Sequence, residues 1–477
     1  MGYVLDHSFL PERYFEMICA IPHGSYHEKP LSDYLVQFAK ERGLRYKQYP
    51  NWNVIIYKDA YPGYEDHEPV MLQAHIDMVC EKEPGYKHDF EKDPLSLYVE
   101  DEKLYAHGTT LGADDGVGVA YMLAFLEDDT IPHPPLECVF TVQEEVGLIG
   151  AKELAFEDIT ARRMIGLDDM GGDTSYVSSC GSQYISLARK LAFEDNTESG
   201  YKISISGLLG GHSGVCINKE RGNAIKLMGR MLYGLTKQFD IRIGDICGGG
   251  KDNVIPSACD AIIACDAAFD ELEAAAATIA AEFKSELAFS DPDIQVAVAM
   301  NDCPKSMNAK DSAELIQCLF LLPDGFRHKS MKITNLTTVS ENLANITIDD
   351  GTLRIRYLAR SEMESFLDLM HDELVLFCKI YGFNMEASEK SPGWQFDDRS
   401  KIRKLLFDSY YAVTGSHMTM IAEHGGLETG YISGGLPGID IVTCGPRCEG
   451  YHTTKECLDL RSFRRVYEVL KHALKSM

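Results

Sequence analysis

The chain contains 477 residues, of which 45% are hydrophobic and 25% are charged. This composition is typical of a globular protein, and the length favours two or more domains, or one domain with a large insert. Asp and Glu number 73 against 46 Lys and Arg, giving a formal charge of −27, which disfavours binding to nucleic-acid phosphates and to anionic membrane surfaces.

The N-terminal segment and the cysteines predict a cytoplasmic protein. Residues 1–15 contain no apolar run of signal-peptide length. No window approaches the roughly 18 uninterrupted apolar residues of a membrane-spanning helix. The 14 cysteines stand singly and form no CxxC pair, so we expect buried, reduced thiols and neither disulfides nor a cysteine zinc site.

Short apolar runs alternate with helical patterns over the first 180 residues, which predicts a parallel sheet covered by helices. The strand candidates are residues 69–74, 136–142 and 164–167. A glycine-rich turn at 108–112 precedes a helix predicted over 116–127. The first part of the chain is therefore expected to be an α/β domain.

The pattern changes after Cys180-Gly181. Residues 253–284 and 335–379 each have the pattern strand, strand, helix, which predicts two related β-β-α units in tandem. The turn Ser391-Pro392-Gly393 interrupts this pattern. The middle of the chain is therefore expected to be an insert of about 200 residues, within the usual range for one domain.

The last part of the chain returns to the first pattern. Two helices and a strand are predicted at 399–414, 460–475 and 439–444. We therefore predict a discontinuous first domain of residues 1–181 and 392–477, with residues 182–391 inserted as a second domain.

Carboxylates and imidazoles follow the predicted strands, or stand in glycine turns, at five places. They are His75 with Asp77, Asp114 with Asp115, Glu144 with Glu145, Asp168 with Asp169, and His452. A single such residue is more often a cap than a ligand, and an acidic pair is usually solvated. Ligands of open α/β sheets bind outside the carboxyl ends of the strands, however, so all five groups are expected to converge.

Such a group suits a hydrolytic pair of zinc ions. Each ion needs nitrogen and oxygen ligands, and one oxygen ligand must be shared between ions about 3.5–4 Å apart, with room for a bridging water. The residues that supply this set are His75, Asp114, Glu145, Asp168 and His452. If these residues were caps or solvated surface groups instead of ligands, their positions after five separate strands or turns would be five independent coincidences.

Four motifs resemble those of the aminoacyl-histidine dipeptidases, within the wider zinc metallopeptidase family of aminoacylases, carnosinases and peptidase T. The motifs are LQAHIDMV at 72–79, GTTLGADDG at 108–116, QEEVG at 143–147 and GGHSG at 210–214. The resemblance runs from Ile21-Pro22 to His452. It implies an α/β fold with a phosphorylase/hydrolase-like three-layer catalytic domain and an inserted α+β lid domain of tandem ferredoxin-like units.

The resemblance also implies a ligand set. Two divalent ions, zinc first and cobalt or manganese as alternatives, would share Asp114. His75 and Asp168 would complete one site, and Glu145 and His452 the other.

Two further residues are implied to be catalytic. Glu144 would act as the general base, since a non-ligating carboxylate beside the water can take its proton and pass it to the leaving amine. Asp77 would orient the imidazole of His75, because a metal-ligating histidine needs an acceptor on its other nitrogen.

Three residues are implied to bind the substrate. His212 would polarise the scissile carbonyl, and Asn253 and Arg360 would hold the substrate's oxygen and terminal carboxylate. The planar fork of arginine binds a carboxylate through two hydrogen bonds. We expect the inserted domain to close as a lid that brings these groups to the peptide.

Residues 452–456 depart from the Ser-Pro-Asp-Glu-like run expected around the last histidine. This departure affects the expected preference for a C-terminal histidine in the substrate more than it affects the hydrolysis. The predicted function is metal-dependent hydrolysis of dipeptides, either Xaa-His such as β-Ala-His or a broader range. An N-acyl amino acid deacylase or desuccinylase, with the same ligands and a different pocket, is the alternative. A noncatalytic metal-binding scaffold is another, although the presence of Glu144 argues against it. The predicted partner is a small peptide. The sequence leaves open whether two copies of the chain form a homodimer.

Overall fold

The computed structural model describes residues 2–477, and the chain divides into two compact units. The first unit comprises the residues up to Ser179, Trp394–Ala422 and Leu427–Met477. The second comprises Cys180–Gly393 and Glu423–Gly426, and the last of these segments was not predicted. Within residues 2–477, no helix has the length and apolar character needed to cross a membrane.

The chain up to Ser179 alternates helices and strands. Its helices are α1 (Leu10–Cys19), α2 (Lys29–Glu41), α3 (Ala113–Glu127), α4 (Ile149–Lys152) and the 3-10 turn Phe156–Asp158. Its strands are β1 (Arg45–Gln48), β2 (Val54–Lys58), β3 (Val70–His75), β4 (Leu97–Glu100), β5 (Lys103–Ala106), β6 (Leu136–Thr141), β7 (Arg163–Gly166) and β8 (Thr174–Ser179). The three predicted strands correspond to β3, β6 and β7.

The middle of the chain is richer in strands. These are β9 (Gly181–Lys190), β10 (Phe193–Asp195), β11 (Ser199–Ser206), β12 (Gly211–His212), β13 (Ile241–Gly249), β14 (Val254–Ile255), β15 (Cys259–Cys265), β16 (Gln295–Met300), β17 (Lys305–Met307), β18 (Gly325–Lys329), β19 (Thr337–Asp349), β20 (Thr352–Ser361) and β21 (Asn384–Ala387). The helices are α5 (Ser213–Cys216), the 3-10 turn Ile217–Lys219, α6 (Ala224–Leu235), α7 (Phe269–Glu286), α8 (Ala309–Leu321) and α9 (Glu364–Tyr381).

The last part of the chain supplies the remaining elements. They are α10 (Lys401–Thr414), β22 (Thr419–Glu423), α11 (Glu428–Gly435), β23 (Asp440–Thr443), β24 (Cys448–Glu449), β25 (Cys457–Asp459) and α12 (Leu460–Lys475). The two predicted helices and the predicted strand correspond to α10, α12 and β23.

The first unit is built on a six-stranded sheet of order β1-β2-β6-β3-β7-β23. Strands β6, β3, β7 and β23 run parallel, and β3 and β6 are buried over their whole lengths. A parallel strand covered on both faces is apolar over most of its length, which is why these runs stand out in the sequence. The carboxyl ends of β3, β6 and β7 therefore meet at one edge of the sheet.

The range of α3 includes Ala113–Asp115, but Asp114 and Asp115 have non-helical backbone angles, so the regular helix begins at about Gly116, as predicted. The turn that leads into it starts at Gly112, which is left-handed with φ 68°. A single carboxylate holds this start. Glu456, which is buried, accepts the backbone N–H groups of four consecutive residues at 2.8, 3.1, 2.8 and 3.4 Å. These residues are Leu111, Gly112, Ala113 and Asp114. The loop that carries Asp114 is thus fixed from the C-terminal part of the chain.

The second unit contains a nine-stranded antiparallel sheet. Its main path is β16-β11-β15-β13-β19-β20-β9-β21, and β18 pairs with β19. The predicted strand-strand-helix units fall on β14-β15-α7 and β19-β20-α9. Strand β14 pairs with β12 outside this sheet, and it is short because Pro256 follows it and has no N–H to continue a ladder.

Replacing Glu456 tests the role of this carboxylate in the fold. Glu456→Ala leaves buried N–H groups without an acceptor, and we expect it to lower the free energy of unfolding by about 3 kcal/mol. The measurement is urea unfolding followed by near-UV circular dichroism. The matched control is Glu449→Ala, which removes an exposed carboxylate paired with Lys103 and should change stability little. Equal losses in the two variants would contradict the role of Glu456.

Candidate metal centre

The carboxyl edge of the first unit's sheet collects imidazoles and carboxylates. His75 is the last residue of β3, Glu145 stands four residues beyond β6, and Asp168 stands two beyond β7. The ligand atoms of His75, Asp114 and Asp168 lie within 4.8 Å of one another, and so do those of Asp114, Glu145 and His452. The structure therefore brings together the five residues proposed as ligands, and Asp114 is common to both groups.

Asp114 directs its two oxygens to different imidazoles. Its Oδ1 lies 3.0 Å from His75 Nε2, and its Oδ2 lies 3.2 Å from His452 Nε2. The same His452 nitrogen lies 2.9 Å from Glu145 Oε1. His75 is buried whereas His452 is exposed, so the cluster is open to solvent on the side of His452.

Asp77 organises the two sides of the cluster. Its Oδ1 accepts the backbone N–H of Glu144 at 3.0 Å, and its Oδ2 accepts that of Glu145 at 3.2 Å and the hydroxyl of Ser25 at 2.8 Å. His75 Nδ1 lies 3.0 Å from the Asp77 carbonyl oxygen and 3.4 Å from Oδ1. The backbone oxygen is thus the nearer acceptor for the imidazole, while the carboxylate mainly holds the Glu144 turn.

The cluster crowds like charges in a buried place. Burial raises the pKa of Glu144 well above its usual range, and the charge of Asp168 adds to this although His75 opposes it. Burial and the charge of Asp114 likewise raise the pKa of Asp168. Burial acts to raise the pKa of Asp114 too, but hydrogen bonds from His452 and His75 outweigh it and lower that pKa. Divalent cations would offset this repulsion, and the nitrogen and oxygen donors fit zinc.

The three residues proposed to bind substrate belong to the second unit. Pairing of β12 with β14 brings His212 opposite Val254, next to Asn253, whose carbonyl accepts the backbone N–H of Ser213 at 2.8 Å. Arg360 lies on β20, is only 7% exposed, and its Nε has no hydrogen-bond partner. Burial, together with the charge of Arg360, lowers the pKa of His212, which favours the neutral imidazole.

The sequence did not single out Glu428 and His424. Glu428 is the first residue of α11, and its Oε2 accepts hydrogen bonds from Gln73 Nε2 at 2.5 Å and Thr141 Oγ1 at 2.8 Å. His424, in the second unit, has Nε2 2.6 Å from Ser340 Oγ. The one sequence signal for Glu428 is its place after the Gly425-Gly426 turn. Acidic residues are common in such loops, so this signal did not mark Glu428 as functional.

The chain matches known proteins over nearly its whole length. It is 34% identical over 470 residues to the cytosol non-specific dipeptidase of Escherichia coli (strain K12), with 97% of this chain and 96% of that protein covered. The crystal structure of the aminoacylhistidine dipeptidase from Vibrio alginolyticus matches with a TM-score of 0.94 at 30% identity, covering 99% of this chain and 98% of that one.

A more distant structure agrees in fold alone. The aminopeptidase PepT from Bacillus cereus ATCC 10987 has a TM-score of 0.56 at 17% identity, with 99% of each chain covered. The model described as peptidase family M20/M25/M40 matches residues 71–476. The resemblance to the aminoacyl-histidine dipeptidases inferred from the four motifs is thereby confirmed. The chain belongs to the peptidase family M20/M25/M40 and has its mixed α/β fold.

Proposed function

We propose that this chain is a metal-dependent dipeptidase with two divalent ions at the carboxyl edge of the first unit's sheet. The observation that carries the proposal is that Asp114 belongs to the two groups that together contain all five proposed ligands, and that its two oxygens face different imidazoles. A shared carboxylate is what a dinuclear site requires. The names of the Escherichia coli and Vibrio alginolyticus relatives support a dipeptide substrate. The first of them is described as cytosolic, and we propose the same location for this chain.

Zinc is the metal that we propose, with cobalt or manganese as alternatives. His75 and Asp168 would hold one ion, Glu145 and His452 the other, and Asp114 both. When bound, such ions lower the pKa of a water nucleophile and polarise the scissile carbonyl. The mixture of imidazole and carboxylate donors supports zinc over magnesium or calcium, which prefer oxygen ligands.

Glu144 is proposed as the general base. Its carboxylate lies within 4.8 Å of ligand atoms of His75 and Glu145, while its backbone is held by Asp77. Burial raises the pKa of Glu144, and a higher pKa makes a carboxylate a stronger proton acceptor. Glu144 would take a proton from the attacking water and deliver it to the leaving amine.

The second unit is proposed to act as a lid built from two related β-β-α units, with residues 182–391 as the insert and 1–181 and 392–477 as the catalytic domain. Arg360 supports this role because its buried Nε lacks a partner, as expected of a group that waits for a substrate carboxylate. His212 would donate to the scissile carbonyl as negative charge develops on it. Asn253 would hold a substrate oxygen.

Substrate range separates this proposal from its alternative. A panel of Xaa-His dipeptides, other dipeptides, tripeptides and N-acyl amino acids should show hydrolysis of dipeptides. Hydrolysis of N-acyl amino acids alone would favour a deacylase or desuccinylase. Absence of all hydrolysis by metal-loaded protein would favour a noncatalytic scaffold.

Metal content tests the shared ligand. Purified wild-type protein dialysed against zinc should hold about two ions per chain, and Asp114→Asn should hold fewer than one, because both sites lose a charged ligand. Inductively coupled plasma mass spectrometry gives the ratio. Asp173→Asn, which changes an exposed acid of the same unit, is the control and should keep both ions. Full occupancy in Asp114→Asn would reject its bridging role.

Replacing Glu144 separates the base from the ligands. Glu144→Gln should retain its metals and lose about 10²–10⁴-fold in kcat, because the amide cannot accept the water's proton. Steady-state kinetics and metal analysis of the same sample test this, with the exposed Glu157→Gln as the control. Near-normal turnover would rule out the base, and loss of metal would make Glu144 a ligand instead.

Replacing Arg360 tests carboxylate recognition. Arg360→Ala should raise KM for dipeptides by about 10- to 100-fold with a smaller change in kcat, since the lost ionic hydrogen bonds act in ground and transition states alike. The comparison is KM for a dipeptide against its C-terminal amide. Arg354→Ala, an exposed position on the same strand, should leave KM unchanged. An equal loss for the dipeptide and its amide would contradict the assignment.

A further inference from the structure

A buried hydrogen-bonded group lies inside the sheet of the first unit, just before the residues proposed to hold the metals. It consists of Glu428, Gln73 and Thr141, which are 3%, 1% and 0% exposed. Gln73 Nε2 also lies 3.2 Å from Thr141 Oγ1. The three side chains thus contact each other in strands that are otherwise apolar except for His75 and Glu137.

These residues link the two strands that carry the proposed machinery. Gln73 stands two residues before His75 on β3, and Thr141 is the last residue of β6, three before Glu144. The carbonyl of Thr141 accepts the backbone N–H of Ile76 at 2.8 Å. A carboxylate that accepts from both side chains at 2.5 and 2.8 Å therefore ties the two strand ends together.

Packing alone does not account for this group. Burying a carboxylate, an amide and a hydroxyl is costly, and apolar side chains of similar size are often equally or more stable at such positions. The second oxygen of Glu428, Oε1, is buried and has no hydrogen-bond partner. A polar group that is only partly satisfied in a core points to a role other than stability.

We propose that Glu428 is a positioning residue, which joins the ends of β3 and β6 through Gln73 and Thr141 and so sets His75 and Glu144 relative to each other. The inference rests on the proposed hydrolytic function, because His75 and Glu144 act only there. Glu428 itself touches neither substrate nor metal in this role. What it supplies is a hydrogen-bond acceptor for two donors.

The test compares Glu428→Ala with Glu428→Gln in the full chain. An amide oxygen accepts the same two hydrogen bonds, so Glu428→Gln should keep kcat within about 3-fold of wild type, whereas Glu428→Ala should lose at least about 10-fold in kcat. KM for a dipeptide and the zinc content should change little in both. Thr141→Val removes one donor and provides a milder variant with an intermediate kcat.

Hydrogen–deuterium exchange gives a second readout that needs neither metal nor activity. In metal-free protein, the peptides covering residues 70–78 and 136–146 should exchange faster in Glu428→Ala than in wild type or Glu428→Gln. The matched control is Glu137→Ala at the other end of β6, where a buried carboxylate accepts hydrogen bonds from Thr160 and Ala161. This variant should lose stability without a specific loss of kcat.

Two results would overturn the inference. The first is a wild-type kcat in Glu428→Ala. The second is an equal loss of kcat in Glu428→Gln and Glu428→Ala, which would mean that the hydrogen bonds to Gln73 and Thr141 do not set kcat. A wild-type protein without hydrolytic activity would instead reject the proposed function. In that case unchanged exchange in Glu428→Ala would reject the link between the strands as well.

Discussion

Crowding of carboxylates at the ends of parallel strands is the constraint on which the rest of this protein depends. Asp114, Glu145 and Asp168 share a small volume with two imidazoles, and buried charges of one sign destabilise a fold unless they are compensated. His75 and His452 supply part of the compensation. Divalent ions bound by the neutral imidazoles and the carboxylates would take over this compensation, so that metal binding and the stability of this edge are expected to be coupled.

Loops that carry such charges must be held by something else, and here other carboxylates hold them. Asp77 accepts the backbone N–H groups of Glu144 and Glu145. Asp169, next to Asp168, accepts those of Gly171 and Tyr176. The N–H groups that Asp169 accepts stabilise its charge, and its neighbour Asp168 faces the cluster. Adjacent acids thus have different tasks.

The second unit also contains a buried charged group, in this case a cation. Arg360 is nearly buried, and burial lowers its pKa. Glu423, in the same unit, is near enough for Arg360 to oppose the rise in its pKa that burial causes. A buried guanidinium with an unpaired Nε is costly to keep unless a ligand completes its hydrogen bonds. Each unit therefore contains a buried charged group with an atom that lacks a hydrogen-bond partner: Glu428 Oε1 in the first and Arg360 Nε in the second.

Sequence patterns alone determined the elements that position the site. The apolar runs at β3, β6 and β7 were visible because strands buried on both faces have no alternation, and the polar residues directly after them marked one edge of a parallel sheet. This order gave the set of possible ligands, and the resemblance of the four motifs implied the role of each, such as those of His75 and Glu145. The motifs also identified the family, since their spacing along the chain is specific in combination.

Only the tertiary structure decided which distant residues support these groups. Glu456 is 342 positions from Asp114 in the chain and Glu428 is 355 from Gln73. The Gly425-Gly426 turn before Glu428 is common in loops and does not indicate a contact with Gln73. The segment Glu423–Gly426 joins the second unit although its neighbours on both sides belong to the first. Such contacts depend on how separate elements pack, and a hydrogen bond between residues hundreds of positions apart leaves no pattern in a single sequence.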